Sequence, residues 1–337
     1  LLVFPNGIAL TRPPGTLSRR RGRKREEIGK IKMLMKILNL IILLVVPFLM
    51  MGVIKKTKAF WGGRKGASVL QPLYDFVKLM KKDFVISKTT SVVFRITPII
   101  AIASVLFAAL FVPMASGSAL INIPAGLIVF AYILGLGKFF SLIGAMDTGS
   151  SFEGMGASRE ACFTSIVEPA FFIIIASIMA MSGNYTFDSL AHILSSAGSY
   201  GVLITIFAVL ALFLMILIEG CRVPVDDPAT HLELTMIHEV MILDNSASDL
   251  ALISWGAAMK MLLISSLIAN ILIPNSAGAG ISVLLYLLII FAISIIIGTV
   301  ESAMARIRMS HVFEFIFIMS SFALVVLSLV VARMFGG

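Results

Sequence analysis

Apolar residues fall along this chain in eight blocks, separated by more polar connections. A membrane-spanning helix needs about 20 largely apolar residues in succession. Stretches that qualify lie at about 33–54, 92–113, 120–143, 162–182, 201–218, 250–273, 281–300 and 311–333. The fifth is short, and the third carries Lys138 near its end. In lipid every backbone polar group must be satisfied within its own segment, so such blocks fold as helices. The pattern predicts an all-α integral membrane protein of eight transmembrane helices, with residues 33–337 forming one membrane domain. No repeat on the scale of about 20–50 residues is visible, whereas a stand-alone secondary transporter would show inverted halves with broken helices.

Between the first two blocks the period changes. At 100° per residue Leu70, Leu73, Tyr74, Phe76, Val77 and Met80 share one face, and Asp75, Lys78 and Lys82 share the other. This is an amphipathic helix in a loop, suited to lie in the membrane interface. It serves either as a lipid anchor or as a dock for a partner subunit.

Composition sharpens this picture. Of 337 residues 59% are hydrophobic and 13% charged, against roughly 45–50% and 25% in soluble domains. That surplus of apolar side chains needs lipid as its solvent. The net charge of +9 is concentrated in residues 1–32. There Arg12, Arg19, Arg20, Arg21, Arg23, Lys24, Arg25, Lys30 and Lys32 face only Glu26 and Glu27. The remainder holds 18 basic and 16 acidic residues, a net of +2. Residues 1–32 therefore read as a basic tail, disordered or lying upstream of a true start near Met33, and the body offers no nucleic-acid surface.

Lys and Arg also orient the helices. The odd-numbered connections carry Lys55, Lys56, Lys58, Arg64, Lys65, Lys78, Lys81, Lys82, Lys88, Arg159, Arg222, Arg306 and Arg308. The even-numbered ones, 114–119, 183–200 and 274–280, carry none. The positive-inside rule then places the odd loops, and their amphipathic helices, in the cytoplasm and both termini outside. Only the tail at 1–32 runs against this.

Candidate chemistry sits in those cytoplasmic loops. The fifth runs from Glu219 through Arg222, Pro224, Asp226, Asp227 and Pro228 to Glu239. Asp227 before Pro228 is a helix-start signal. On the helix expected to follow, His231, Thr235 and His238 fall within a sector of about 60°. Glu239 lies beside that sector, and Glu233 faces Met236, Ile237 and Val240 on the opposite side. A carboxylate in such surroundings must be paired or hold its proton. The histidines are two turns apart, unlike the i, i+4 pair of a helical zinc site. They serve as metal ligands, as partners in a packed loop, or as members of a proton-conducting or conformationally coupled network.

The third loop adds Asp147, Glu153, Arg159 and Glu160. Its Gly154-Met-Gly156 lacks the lysine and the setting of a phosphate loop. These acids read as a second half of one cytoplasmic polar cluster. Within the spans ionisable residues default to functional hypotheses, which singles out Glu168, followed by Pro169, and Lys260. Glu314 lies near the start of the eighth span. Arg95 and Lys138 lie near span ends, where long side chains snorkel to the interface, and read as structural. The two cysteines, Cys162 and Cys221, are far apart. Without a C-x-x-C spacing no iron–sulfur, zinc or redox-disulfide site can be argued for this chain.

At these residues the sequence resembles the family of subunit 1 of proton-pumping NADH:quinone oxidoreductase and its relatives in membrane-bound hydrogenases. The pattern E-x-x-R-x-P-x-D-x-P followed by E-L is met by Glu219, Arg222, Pro224, Asp226, Pro228, Glu233 and Leu234. The first-loop pattern L-Q-P-x-x-D-x-x-K-L is met by Leu70, Gln71, Pro72, Asp75, Lys78 and Leu79. Glu301 to Arg308 is similar to the family's short basic connection. Where quinone-linked members read P-E-A-E-S-E-L, this chain has Ala229 and His231 in place of two acids, and looks like the formate hydrogenlyase subunit 4 branch. The resemblance implies a subunit of an oxidoreductase complex in a prokaryotic plasma membrane. Its partners would be a hydrogenase-like large subunit, an iron–sulfur small subunit and antiporter-like membrane subunits. Iron–sulfur clusters and nickel–iron would belong to those partners, with no cofactor in this chain. It also implies coupling acids at Glu153, Glu160, Glu219, Asp226, Glu233 and Glu239, alongside the other candidates Glu168, His238 and Lys260. The alternative is the quinone-binding subunit of a respiratory NADH dehydrogenase.

Overall fold

The computed structural model describes residues 14–83, 85–115, 119–123, 125–183, 187, 190, 198–226, 236–273 and 278–336. Its helices are α1 (Pro14–Trp61), α2 (Gln71–Met80), α3 (Val92–Ala109), α4 (Gly126–Asp147), α5 (Ser151–Ser182), α6 (Gly198–Glu219), α7 (His238–Met241), α8 (Ala247–Leu272), α9 (Ala279–Ala303) and α10 (Met309–Gly336). Eight of these are long and apolar enough to cross a membrane. The described residues contain helices and no strands. The chain is therefore a multi-pass, all-α membrane protein, as the hydropathy pattern predicts.

Two boundaries differ from that pattern in an informative way. α4 runs from Gly126 to Asp147, later than the block at 120–143. α5 begins at Ser151, where the sequence predicts a loop as far as about 162. The first three turns of α5 are polar, so hydropathy passes over them. Their carboxylates find tertiary partners: Glu153 is buried and accepts the Asp244 N–H at 2.9 Å.

α8 lies at the centre. It packs against α1, α2, α3, α6 and α9, and 67% of its span is buried, compared with 28% for α4, α9 and α10. From α8 a ring closes through α3, α4, α5, α10 and α6 and back to α8. α1 and α9 pack on each other and against the outside of α8. Because the spans alternate in direction, α1, α4, α6 and α9 end on the face where α3, α5, α8 and α10 begin. That face carries α2, α7 and every described connection bearing Lys or Arg.

Close approach inside the ring depends on small residues. On α4, Gly137 and Gly144 lie two turns apart, opposite Ser104 and Thr97 of α3. A Cβ on Gly137 would sit 2.9 Å from Ser104 Cβ, and one on Gly144 would sit 2.8 Å from Thr97 Cβ. The contact also lets Thr97 Oγ1 donate across to Phe140 O at 3.3 Å. Helices in lipid associate by packing of this kind rather than by burial from water. Gly144→Leu should therefore lower the thermal midpoint of the detergent-solubilised protein, at a cost of about 1–3 kcal/mol; an unchanged midpoint would show that α3 and α4 do not meet here.

α2 confirms the predicted segment but uses its face selectively. Phe76 turns inward, its ring centroid 5.4 Å from Phe48 of α1 and 5.2 Å from Trp255 of α8. Leu70, Tyr74, Val77 and Met80 stay exposed. Gln71 Nε2 donates to Asp75 Oδ1 at 2.8 Å, bracing the first turn, and Pro72 stands at its start. The helix borders a cavity of about 650 Å³ whose lining includes Phe48, Phe76, Leu79 and Trp255 together with the charged Lys58 and Glu301.

Candidate functional site

Four spans end or pass close together at the loop-bearing face, and each contributes one charged side chain. Glu219, the last residue of α6, holds Lys138 of α4 at 2.6 Å through Oε1 and Lys260 of α8 at 2.6 Å through Oε2. Lys138 also reaches Glu160 Oε1 of α5 at 2.7 Å. His238 of α7 completes the chain, with Nε2 3.5 Å from Glu160 Oε2. The order Glu160–Lys138–Glu219–Lys260 thus alternates in sign, and His238 extends the alternation when it carries a proton. Thr164 Oγ1 adds a hydrogen bond to Glu160 at 3.3 Å.

Burial makes this chain consequential. Side-chain exposure is 7% for both glutamates and 10% for Lys138. Charges taken out of water persist only when partners compensate the lost hydration, and here each carboxylate is shared between two basic groups. With His238 neutral, two lysines balance two glutamates. A proton on His238 leaves the chain with a net positive charge. A cavity of about 250 Å³ opens onto these groups and onto Cys221 and Arg222, the rest of its wall being largely apolar, with Met51, Val105 and Leu134 among its lining. Cys221 adopts a left-handed backbone, φ 54°, and burial pushes its thiol well above the ordinary range.

A second set of ion pairs holds the fifth loop in place. Glu301, at the end of α9, is fully buried between Lys58 at 2.9 Å and Arg222 at 3.3 Å. Asp226 pairs with Arg306 at 3.0 Å. Its other oxygen accepts the N–H groups of Ile237 and His238 at 3.2 and 3.1 Å. Those donors open α7, so Asp226 sets the start of the short helix that aims His238 at Glu160. Arg159 donates to Met236 O at 3.1 Å, tying the same segment to α5. Asp226→Asn keeps an acceptor for the backbone but removes the charge facing Arg306. It should raise hydrogen exchange at residues 236–241 while leaving α8 protected; unchanged exchange would show that the loop is held elsewhere.

Of the residues singled out in the sequence, Glu160, Glu219, His238 and Lys260 come together in one chain. Glu239 lines both cavities. Glu153 and Asp226 are buried nearby in backbone hydrogen bonds rather than in the chain itself. Glu168 lies half-buried against α4, and Lys78 lies on α2, away from the chain. Pro224 O accepts the Ile307 N–H at 3.1 Å. Glu233, His231, Thr235 and Pro228 fall outside the described residues; of the helix expected after Asp227, the described part is His238–Met241.

One expectation is corrected. Lys138 does not snorkel from its span end but is the shared cation of two buried glutamates. Arg222, singled out as a motif residue, is paired with Glu301. Glu301, Lys58 and Arg306 carry structural charges that sequence reasoning passed over. Gly137, directly before Lys138, was the available signal: a glycine that lets α4 press on α3 also marks this stretch of α4 as interior.

A family model described as NADH dehydrogenase matches residues 34–332. Hydrogenase-4 component C of Escherichia coli (strain K12) is 28% identical over 273 residues, covering 79% of this chain and 85% of that protein. Formate hydrogenlyase subunit 4 of the same organism is 25% identical over 290 residues, covering 83% and 92%. In three dimensions a chain of the membrane-bound sulfane sulfur reductase, an archaeal respiratory membrane complex, superposes with TM-score 0.73 at 18% identity, over 88% of this chain and 99% of that one. The match across nearly every span places this chain in the NADH dehydrogenase family.

Proposed function

We propose that this chain is the membrane-anchoring and ion-coupling subunit of an energy-converting, hydrogenase-like complex of the formate hydrogenlyase type, in a prokaryotic plasma membrane. The similarity to membrane subunits of hydrogenase-4 and formate hydrogenlyase supports the setting. In it the partners are a hydrogenase-like large subunit, an iron–sulfur small subunit and antiporter-like membrane subunits, and the iron–sulfur and nickel–iron chemistry belongs to the soluble partners.

The observation that carries the coupling role is the buried chain of alternating charge from Glu160 to Lys260, with His238 against its first carboxylate. His238 stands at its loop end, where a soluble arm would dock. A proton or a nearby charge arriving with electron transfer changes the field on Glu160. Lys138, held by two carboxylates at nearly equal distance, responds by shifting its contact between Glu160 and Glu219. Lys260 then gains or loses its share of Glu219. Interactions at these distances are strong in a low-dielectric setting, so a change at one end is felt at the other without a redox centre in this chain. Glu160→Gln should lower the ion gradient formed per electron in sealed vesicles while electron transfer to an artificial acceptor persists; an unchanged ratio would make the chain purely structural.

The cavity beside α2 favours a second reading, the quinone-binding subunit of a respiratory NADH dehydrogenase-type complex. Its lining of aromatic and charged side chains suits a molecule with an apolar body and a polar head. Quinone extracted in stoichiometric amount from the purified complex would select this reading, and its absence together with co-purifying nickel would select the first.

The cytoplasmic placement of the loop-bearing face is open to direct labelling. Single cysteines at Lys65 and Gly278, in a background lacking Cys162 and Cys221, should react from opposite sides of the membrane. Labelling of both from one side would overturn the topology.

A further inference from the structure

Glu168 lies two turns beyond Glu160 on α5 and differs from it in having no contact partner. Among the described residues its carboxylate makes no hydrogen bond or ion pair; Lys138, Glu219, Lys260 and Glu160 act on it only through space. At 100° per residue it stands about 20° from Ala161 and 60° from Ser165, on the flank of a stripe in which Ala161, Ser165, Pro169 and Ala176 are exposed. The carboxylate leans on α4 where that helix has no side chain: a Cβ on Gly135 would meet Glu168 Oε1 at 3.5 Å. One turn further along α5, Phe172 packs on Tyr132 with ring centroids 5.4 Å apart. Tyr132, Leu136 and Phe139 are themselves 67%, 52% and 55% exposed. These positions form an outward-facing groove between α4 and α5, floored by Gly135.

That groove presents hydrogen-bond acceptors to the bilayer. Besides the carboxylate it holds the carbonyl of Ser165, which loses its intrahelical donor because Pro169 has no N–H. The nearest lysine on α4, Lys138, is committed to Glu160 and Glu219. Hydrocarbon supplies no donor to either group, and an unsatisfied polar group in lipid costs several kcal/mol. The small residues Ala161, Ser165 and Ala176 leave space for a helix backbone to approach closely.

We propose that the groove between α4 and α5 seats a transmembrane helix of a neighbouring subunit, and that this helix carries a nitrogen donor (Lys, Arg, Asn or Gln) at the depth of Glu168. This rests on the multi-subunit setting of the proposed function but not on its ion coupling. In the assembled complex, in native membranes, a benzophenone amino acid at Tyr132 should cross-link to a transmembrane peptide of a co-purifying membrane subunit. That peptide should bear such a donor within one turn of the cross-linked residue. Glu168→Leu, which removes the acceptor, should reduce recovery of the same subunit roughly tenfold, whereas Glu168→Gln, which keeps a carbonyl, should retain most of it. Cross-linking only to lipid, or to a helix without a donor, overturns the proposal, as does full recovery of the subunit with Glu168→Leu. If Glu168→Leu prevents the chain from folding, the cross-link in the otherwise unaltered protein decides alone. Neither readout involves ion translocation, so this inference and the coupling reading can fail separately.

Discussion

Lys138→Met should cut the ion gradient formed per electron by roughly tenfold or more, with electron transfer to an artificial acceptor close to its original rate. The substitution keeps the length and much of the volume of the side chain, so packing between α4 and its neighbours changes little. It removes the cation that lies 2.7 Å from Glu160 and 2.6 Å from Glu219. Glu219 keeps Lys260, but among the described residues Glu160 is left with His238 as its only basic contact. The continuous alternation of charge is then broken at its middle, and a change at His238 no longer reaches Lys260. If Lys138 merely snorkelled to the interface, methionine there would be close to neutral in both assays. Gradient formation and electron flux measured in the same sealed vesicles separate the two cases.

Glu219→Ala should be the most damaging single substitution in the site. It leaves Lys138 sharing Glu160 and strips Lys260 of its carboxylate. Removing one member of a buried ion pair costs about 3–5 kcal/mol, because the remaining charge stays buried without compensation. Loss of assembled complex from the membrane, or a large drop in its thermal midpoint, is the expected reading. Exchanging both Glu219 and Lys260 for leucine removes the stranded charge and leaves Lys138 paired with Glu160. Replacing a buried ion pair by apolar residues is often neutral or stabilising, so assembly and midpoint should recover. The gradient per electron should not recover, since two links of the chain are gone. Recovery of both would show that these charges serve folding alone, and recovery of neither would place Glu219 in the packing of α6.

The fold was largely legible because crossing a bilayer is a local demand. Any segment of about 20 apolar residues must become a helix in lipid, so the eight spans follow from hydropathy alone. The exception is α5, whose polar first turns hydropathy passes over and whose Glu153 and Glu160 are satisfied by residues far away in the chain. Part of the site was legible for a related reason. Glu160, Glu219 and Lys260 stand out as ionisable groups in or beside apolar spans, where their cost demands a use.

The sequence could not say which of these groups meet. A helical wheel gives the face on which a residue lies, not the helix that face will touch. Lys138 and Arg222 carry long, flexible side chains near span ends, from which one stem length reaches either the interface or the interior. Packing of α4 on α3 through Gly137 and Gly144 turned Lys138 inward, and the end of α9 brought Glu301 to Arg222. The span count, the helical class and the concentration of basic residues in alternate connections were thus determined by the sequence itself, through the solvent each residue needs. The pairing of charges, the aim of His238 and the cavity beside α2 were decided by the tertiary structure, because they depend on distances between helices far apart in the chain.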